Sequence, residues 1–440
     1  MGPMDGAEKP SFADLVRVFA RIGLLSFGGP AGQIALMHSE LVEKRGWIGE
    51  PQFLHALNFC HLLPGPEAQQ LATYAGWRLY GVRGGLAAGL LFLLPGVAII
   101  LALSVLYAYA AGLDWFAAIF LGIKAAVLAV VLQALIRMAR RALDSLFKQG
   151  LAGLAFVGLF FLDLPFPLVL LGAAAAGGIV ASLTPSWLKL QAVPADPVRT
   201  ARPAMRATAH TIAVWAMLWA LPLFAVWIVL GGDHVLMDIG LFFSQLAVVT
   251  FGGAYAVLAY MAQEAVQGFG WLQPGEMADG LGLAETTPGP LILVTQFVGF
   301  LAAYRDAAPF TPLLAGALGA LLTLWVTFTP CFLWIFTFAP WIDRLQNARG
   351  LTGALAAITA AVVGVIANLS LWFALHVLFG SVTERRLGVV RLYWPDITTF
   401  DGLAMALGLI AGVHLLVLRR SVAEVLSAAA VLGFIATIFI

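Results

Sequence analysis

The sequence predicts an all-α polytopic membrane protein with about thirteen transmembrane segments in two inverted homologous halves whose helices are broken. Three observations predict it. Of 440 residues, 61% are apolar and 11% charged, less than half the charge of an ordinary soluble domain. Apolar runs of the ~20 residues that cross a bilayer recur over the whole length. One block of sequence also returns, without a gap, at a fixed offset of 224 positions.

Taken in chain order, apolar runs near 12–38, 52–79, 84–111, 115–138, 149–162 and 165–183 form a first half. The first run holds Arg17 and Arg21 and no small-residue cleavage site, so it reads as a retained helix rather than a signal peptide. Residues 184–208 hold prolines and most of the local cations, the mark of an exposed linker. An extra run near 209–231 leads to a second half near 238–263, 277–303, 311–338, 351–379, 400–418 and 422–440. Three regions follow: a repeat over 1–183, a cytoplasmic linker with an added helix over 184–236, and a repeat over 237–440.

The offset relates Phe27, Gly28, Gly29, Met37, Glu40, Gly46, Trp47, Pro64, Gly65 and Pro66 to Phe251, Gly252, Gly253, Met261, Glu264, Gly270, Trp271, Pro288, Gly289 and Pro290. With three further matches, 13 of the 40 positions from 27 to 66 are identical, where chance in so biased a composition gives roughly four or five. An insertion around YRDAAPFTP shifts the offset to 235, which pairs Pro95 with Pro330 and IKAAV at 123–127 with ITAAV at 358–362.

Parity sets orientation. Six spans return the chain to its starting side, and the extra span carries it across before the second half begins, so the halves are expected to be inverted. Fifteen of the 24 cations fall on the side of the N-terminus and six on the other, which makes the N-terminus cytoplasmic and the C-terminus periplasmic.

The chemistry is expected at the breaks. In Pro64-Gly65-Pro66 and Pro288-Gly289-Pro290, neither proline has an N–H and each clashes with the carbonyl four residues back, so a helix must stop and restart. A restarting helix presents unbonded N–H groups, where the dipole favours an anion. The pairs Gly28-Gly29 and Gly252-Gly253 supply a second break in each half. Each motif alone is as well explained by a kink or by close helix packing. Their recurrence at matching positions points instead to a transporter site.

Lys124 lies ten residues after Asp114 in an apolar span, about 15 Å along the helix axis. At that depth an ammonium calls for a function or a buried carboxylate partner. Its repeat counterpart is Thr359. Arg21, seven residues before Gly28, is a second candidate for an anion contact or a structural charge. Gln70 and Gln296 follow the two Pro-Gly-Pro motifs and join the candidate binding set. Glu67, Glu285 and His61 flank the motifs and are candidates for carrying protons, although Glu67 and Glu285 could equally cap helices. Gln133 and Asn368 read as interhelical hydrogen-bond donors, and Glu40 and Glu264 as span-end residues in water.

No metal cluster, Walker, HExxH or nucleophile-elbow pattern occurs, so neither an enzyme nor a cofactor is expected. Cys60 and Cys331 are single and apolar-flanked. A net charge of +1 gives no reason to expect nucleic acid.

FGGPAGQIALM, LLPGPEAQQLATYAGWRLYGVRGGLAAGLLFLLPG, FGGAYAVLAYM and TTPGPLILVTQFVGF together resemble the chromate ion transporter family in its long, two-domain form. The resemblance covers nearly the whole chain. It implies efflux of chromate across the bacterial inner membrane, resistance to chromate, a link to the proton motive force and competition from sulfate. The residues alone reach only an anion-favouring secondary transporter, because chromate and sulfate are both tetrahedral dianions. Rival readings are a sulfate or other oxyanion exchanger, a channel, and a membrane enzyme acting on lipid phosphate. The last would need clustered His, Asp or Arg, and the seven His are scattered. The expected partners are the oxyanion and the bilayer, with a homodimer left open.

Overall fold

The computed structural model describes residues 10–189, 205–251, 254–342 and 348–439. Within them the chain is helical almost throughout. The helices are α1 (Phe12–Leu25), α2 (Gly29–His38), α3 (Glu50–Cys60), α4 (Glu67–Ala110), α5 (Asp114–Ala142), α6 (Leu146–Phe160), α7 (Phe166–Leu183) and α8 (Met205–Leu230). They continue as α9 (Val235–Val249), α10 (Ala254–Gln263), α11 (Pro274–Thr286), α12 (Val294–Arg305), α13 (Pro312–Phe338), α14 (Arg349–Leu378), α15 (Gly402–Gly412) and α16 (Val422–Phe439). Six are long and apolar enough to cross a membrane unaided. Of the other expected spans, those near 12–38, 52–79 and 277–303 are helix pairs interrupted at glycine or proline, as expected, and that near 238–263 is the pair α9 and α10.

The duplication is written in backbone irregularities as well as in sequence. Helix α2 runs into a π-turn at Ser39–Glu43, and α10 into one at Glu264–Gly268. Each is followed by a left-handed glycine, Gly46 (φ 59°) and Gly270 (φ 66°). Helix α3 stops at Cys60 and α4 starts after Pro66; α11 stops at Thr286, and a single 3₁₀ turn at Leu291–Leu293 leads into α12.

Helix α4 would be about 66 Å long if straight, twice a bilayer core. It is instead a hairpin folded at Tyr80 and Gly81, whose backbones leave the helical region. The backbones of Gly76 and Gly84 meet so closely that a Cβ on Gly76 would lie 2.2 Å from Gly84 O. Helices α12 and α13 pack the same way through Gly299 and Gly319. Glycine is required because lipid tails give apolar helices no reason to associate, and close backbone approach supplies the contact.

The chain forms two compact units. Residues within Met1–Ser104, Gln191–Ala254 and Thr287–Ala348 make the first, and Val105–Leu190, Tyr255–Thr286 and Arg349–Ile440 the second. Each draws on both halves of the sequence. In the second unit the exchange is reciprocal: α5 of the first half packs against α15 and α16 of the second, while α14 packs against α6 and α7. Small residues set both seams. Gly122 abuts the backbone of Ala429, and Gly177 abuts Gly353. In the first unit, α8 buries none of its residues. It is held by side chains of other helices, with Trp325 Nε1 donating to Leu218 O at 2.8 Å.

One element was not anticipated. Residues Val382–Leu387 (β1) and Val390–Pro395 (β2) form an antiparallel hairpin in the second unit, turning at Gly388 (φ 62°). Arg391 anchors it: the residue is 3% exposed, with Nη1 donating to Asp163 Oδ1 at 2.5 Å and Nη2 to Leu159 O at 2.7 Å. Arg386 adds a second bond to Asp163 at 2.6 Å.

Glu40 corrects an expectation. Rather than lying in water, its carboxylate is buried between Lys44 (2.8 Å) and Arg45. The π-turn swings both cations back over it. The hydrogen bond from Lys44, with the charges of Arg45, Lys44 and Arg21, holds the carboxyl below its usual range despite burial. Glu264 is half-buried, and burial together with the charge of Asp163 pushes its carboxyl up.

Candidate functional site

The breaks of the two repeats cross in the first unit. Within Pro64-Gly65-Pro66 only Gly65 has an N–H, and it donates to Thr250 O at 2.8 Å. Within Pro288-Gly289-Pro290 only Gly289 has one, and it donates to Ser26 O at 2.9 Å. Ser26 and Thr250 correspond at offset 224, as do the two glycines. Each repeat's Pro-Gly-Pro thus closes on the last-turn carbonyl that the other repeat's glycine break leaves without a helical partner.

The surroundings are reciprocal too. A Cβ on Gly65 would lie 2.9 Å from Cys331 Sγ, and one on Gly96, the counterpart of Cys331 at offset 235, would lie 2.2 Å from Pro288 O. Gly65 (φ 122°) and Gly289 (φ 95°) hold conformations that side chains resist. Gly28 (φ 86°) and Gly29 (φ 69°) also need their glycine for φ, yet a Cβ on either meets nothing within 4 Å. Gly252 and Gly253 lie outside the described residues.

Buried amides tie this crossing together. Gln33 Nε2 donates to Gly289 O at 2.6 Å and Ser26 O at 3.3 Å. Gln70 Nε2 donates to Pro64 O at 2.7 Å, and Gln296 Nε2 to Val97 O at 3.1 Å. Yet Ser26 Oγ and the Oε1 atoms of Gln33, Gln69, Gln70 and Gln296 are buried without a hydrogen-bond partner among the described residues. Five such atoms in an apolar core are costly to leave unmet, and they mark a place suited to polar occupants. Helix α4 makes its first bond from Gln70 N to Pro66 O (3.1 Å), and the second motif from Leu293 N to Pro290 O (2.9 Å). The helix N-terminus after Pro66 and the 3₁₀ turn after Pro290 therefore both begin at the crossing.

Beside the first motif, His61 Nδ1 stands 3.6 Å from Glu67 Oε1. Glu285, the counterpart of His61 at offset 224, is half-buried near the end of α11 in the second unit. Arg21 is exposed on α1 and close enough to act on Glu40.

Lys124 belongs to the second unit, and its carboxylate partner is Asp279 of α11. Nζ stands 3.3 Å from Asp279 Oδ2, the same oxygen that accepts from Tyr107 Oη at 2.7 Å. Gly275, one turn earlier, keeps room for the ammonium, since a Cβ there would lie 3.1 Å from Nζ. The pairing joins α5 of the first half to α11 of the second.

Sequence reasoning missed Gln33, Tyr107 and Asp279 as named residues. Asp279 left a signal: it is an acid inside the edge of an expected span and corresponds to His55 at offset 224. Gln33 left none, because its repeat counterpart is Val257. Gln133 does donate between helices, to Leu415 O at 3.5 Å.

Comparison with known proteins bears on what passes through such a fold. The family model for chromate transporters matches residues 13–179 and 237–437, one segment in each half. A chromate transport protein of Pseudomonas aeruginosa is 33% identical over 364 residues, 81% of this chain and 79% of that one. A chromate transport protein of Cupriavidus metallidurans is 27% identical over 83% of each chain. A probable chromate transport protein of Synechococcus elongatus is 28% identical over 81% of this chain and 83% of its own. No solved structure matches. With the family model matched in both halves, over most of its length, the chain belongs to the chromate transporter family.

Proposed function

We propose that this protein exports chromate from the cytoplasm across the bacterial inner membrane, driven by the proton motive force, and so confers chromate resistance. The observation that carries the reading is the reciprocal crossing, Gly65 to Thr250 and Gly289 to Ser26. It gathers helix breaks of both repeats at one point, and unwound backbone is tolerated at membrane depth only where protein buries it or a polar cavity receives it. Backbone N–H groups after Pro66 and Pro290, with the breaks at Gly28, Gly29, Gly252 and Gly253, form the oxyanion site. Gln70 and Gln296 line it.

Lys124, beside Asp279 in the second unit, is the candidate cation for a dianion, and Arg21, being exposed, serves at most the approach. His61, Glu67 and Glu285 are titratable groups available for coupling. The repeats are inverted, the N-terminus is cytoplasmic and the C-terminus periplasmic; rocking of one repeat against the other alternates access.

Everted membrane vesicles test this. They should accumulate chromate when energised and stop when an uncoupler collapses the gradient. Accumulation indifferent to the uncoupler would remove the coupling, and a competition series would show a sulfate exchanger if sulfate outcompetes chromate as the carried ion.

A further inference from the structure

Lys124 and Asp279 form a charged pair inside apolar packing between α5 and α11. Asp279 is 3% exposed, its Oδ2 takes both the ammonium and the Tyr107 hydroxyl, and its Oδ1 is buried with no hydrogen-bond partner among the described residues. An ionised carboxylate normally takes several donors. Here, among the described residues, one of its oxygens has none, and its charge is balanced by one cation standing 3.3 Å away. The Lys124 side chain is 28% exposed, so the cation is far less enclosed than the carboxylate it faces.

The groups that act on Asp279 are few. Lys124 of α5 and Tyr107 at the end of α4 reach its carboxylate, and Glu276 stands three residues before it on its own helix, with Glu285 six residues after. The remaining titratable residues of the helices packed on α11 lie near helix ends: Asp114, Arg137, Arg140 and Arg141 on α5, Arg349 and His376 on α14, and Glu424 on α16.

Resting on the reading of this chain as an oxyanion transporter, we propose that Asp279 is its proton carrier and that Lys124 links proton to anion. The ammonium serves Asp279 when no anion is present. An arriving dianion recruits it, leaving the carboxylate buried with Tyr107 alone, a state too costly to stay charged. Asp279 then takes one proton from the side open to water, on Oδ1. When the anion leaves on the opposite side of the membrane, the ammonium returns and the proton is released there with it.

Anion and proton therefore bind cooperatively. They travel together, and one net negative charge moves per chromate rather than two. This makes export run on the membrane potential while the pH gradient opposes it, and it ties transport to both parts of the proton motive force.

The test uses purified protein in liposomes, in two modes: chromate counterflow with no gradient, and net chromate accumulation on the alkaline side of an imposed pH gradient with the potential clamped at zero. Wild type should do both. Asp279→Asn mimics the protonated, anion-loaded form, so it should keep counterflow within about twofold and lose gradient-driven accumulation at least tenfold. Lys124→Met should lose both. Accumulation at the wild-type level in Asp279→Asn overturns the proposal. So does joint loss of counterflow and accumulation with normal amounts of inserted protein, because the carboxylate is then needed for binding or packing. Wild-type counterflow without any response to the pH gradient also overturns it, with the transport reading intact. Absence of wild-type counterflow is a failure of the transport reading itself.

Discussion

The Gly65 amide donates to Thr250 O at 2.8 Å, and 224 residues later in the chain Gly289 returns the same bond to Ser26 O at 2.9 Å. A pair of bonds related this way survives only if both breaks keep their shape. Substitution at the crossing should therefore cost more than substitution beside it.

Gly65→Ala should be far more damaging than Gly28→Ala. At Gly65 the new methyl meets Gln70 Nε2 at 2.7 Å and Cys331 Sγ at 2.9 Å on a backbone at φ 122°. At Gly28 it meets nothing, and the left-handed conformation alone costs about 1–2 kcal/mol. Vesicle uptake should fall at least tenfold for Gly65→Ala and less for Gly28→Ala, with membrane levels followed by immunoblot.

Lys124→Met should abolish chromate transport while the protein still inserts. It strands Asp279 beside Tyr107, and breaking a buried pair costs about 3–5 kcal/mol. The double variant Lys124→Met with Asp279→Asn should regain most of the lost thermal stability in detergent without regaining transport.

Gln33→Leu removes the amide that bonds Gly289 O and Ser26 O. Leaving buried acceptors short of a donor costs about 1–3 kcal/mol. The melting temperature should drop and transport should weaken, whereas Gln149→Leu, at an exposed site, should change neither.

Arg391→Ala should loosen the hairpin. Its loss leaves Asp163 with Arg386 alone and uncovers the carbonyls of Leu159 and Phe160. Limited proteolysis should cut within 382–395 in the variant at protease levels that spare the wild type.

The carboxyl of Glu40 is held low by Lys44 and by the nearby charges of Arg45, Lys44 and Arg21. A carboxyl lower in the folded state than in the unfolded chain contributes stability above its ordinary value of 4.5, and loses it as pH falls through the folded value. Stability in detergent should therefore fall on acidification below that point, and Glu40→Gln should flatten this part of the profile. A variant profile identical to wild type would mean the cluster contributes nothing.

Much of the architecture could be read before any coordinates. The duplicated breaks, the fold of the chain near residue 80 and the added helix at 209–231 all follow from local rules: proline lacks an N–H, glycine tolerates positive φ, and apolar runs have a length set by the bilayer. The hairpin at 382–395 was missed because its alternation is short and its stability comes from Arg391 reaching residues 159–163, a contact no local pattern carries.

The candidate site divides in the same way. Offset 224 alone shows that Gly65 matches Gly289 and that Ser26 matches Thr250, because identity is a property of the chain. That Gly65 seeks Thr250, and Lys124 seeks Asp279, depends on which distant backbone or side chain fills an unmet hydrogen bond or balances a buried charge. Such partners lie 185 and 155 positions apart. The need was local and legible; the partner that meets it was chosen by packing.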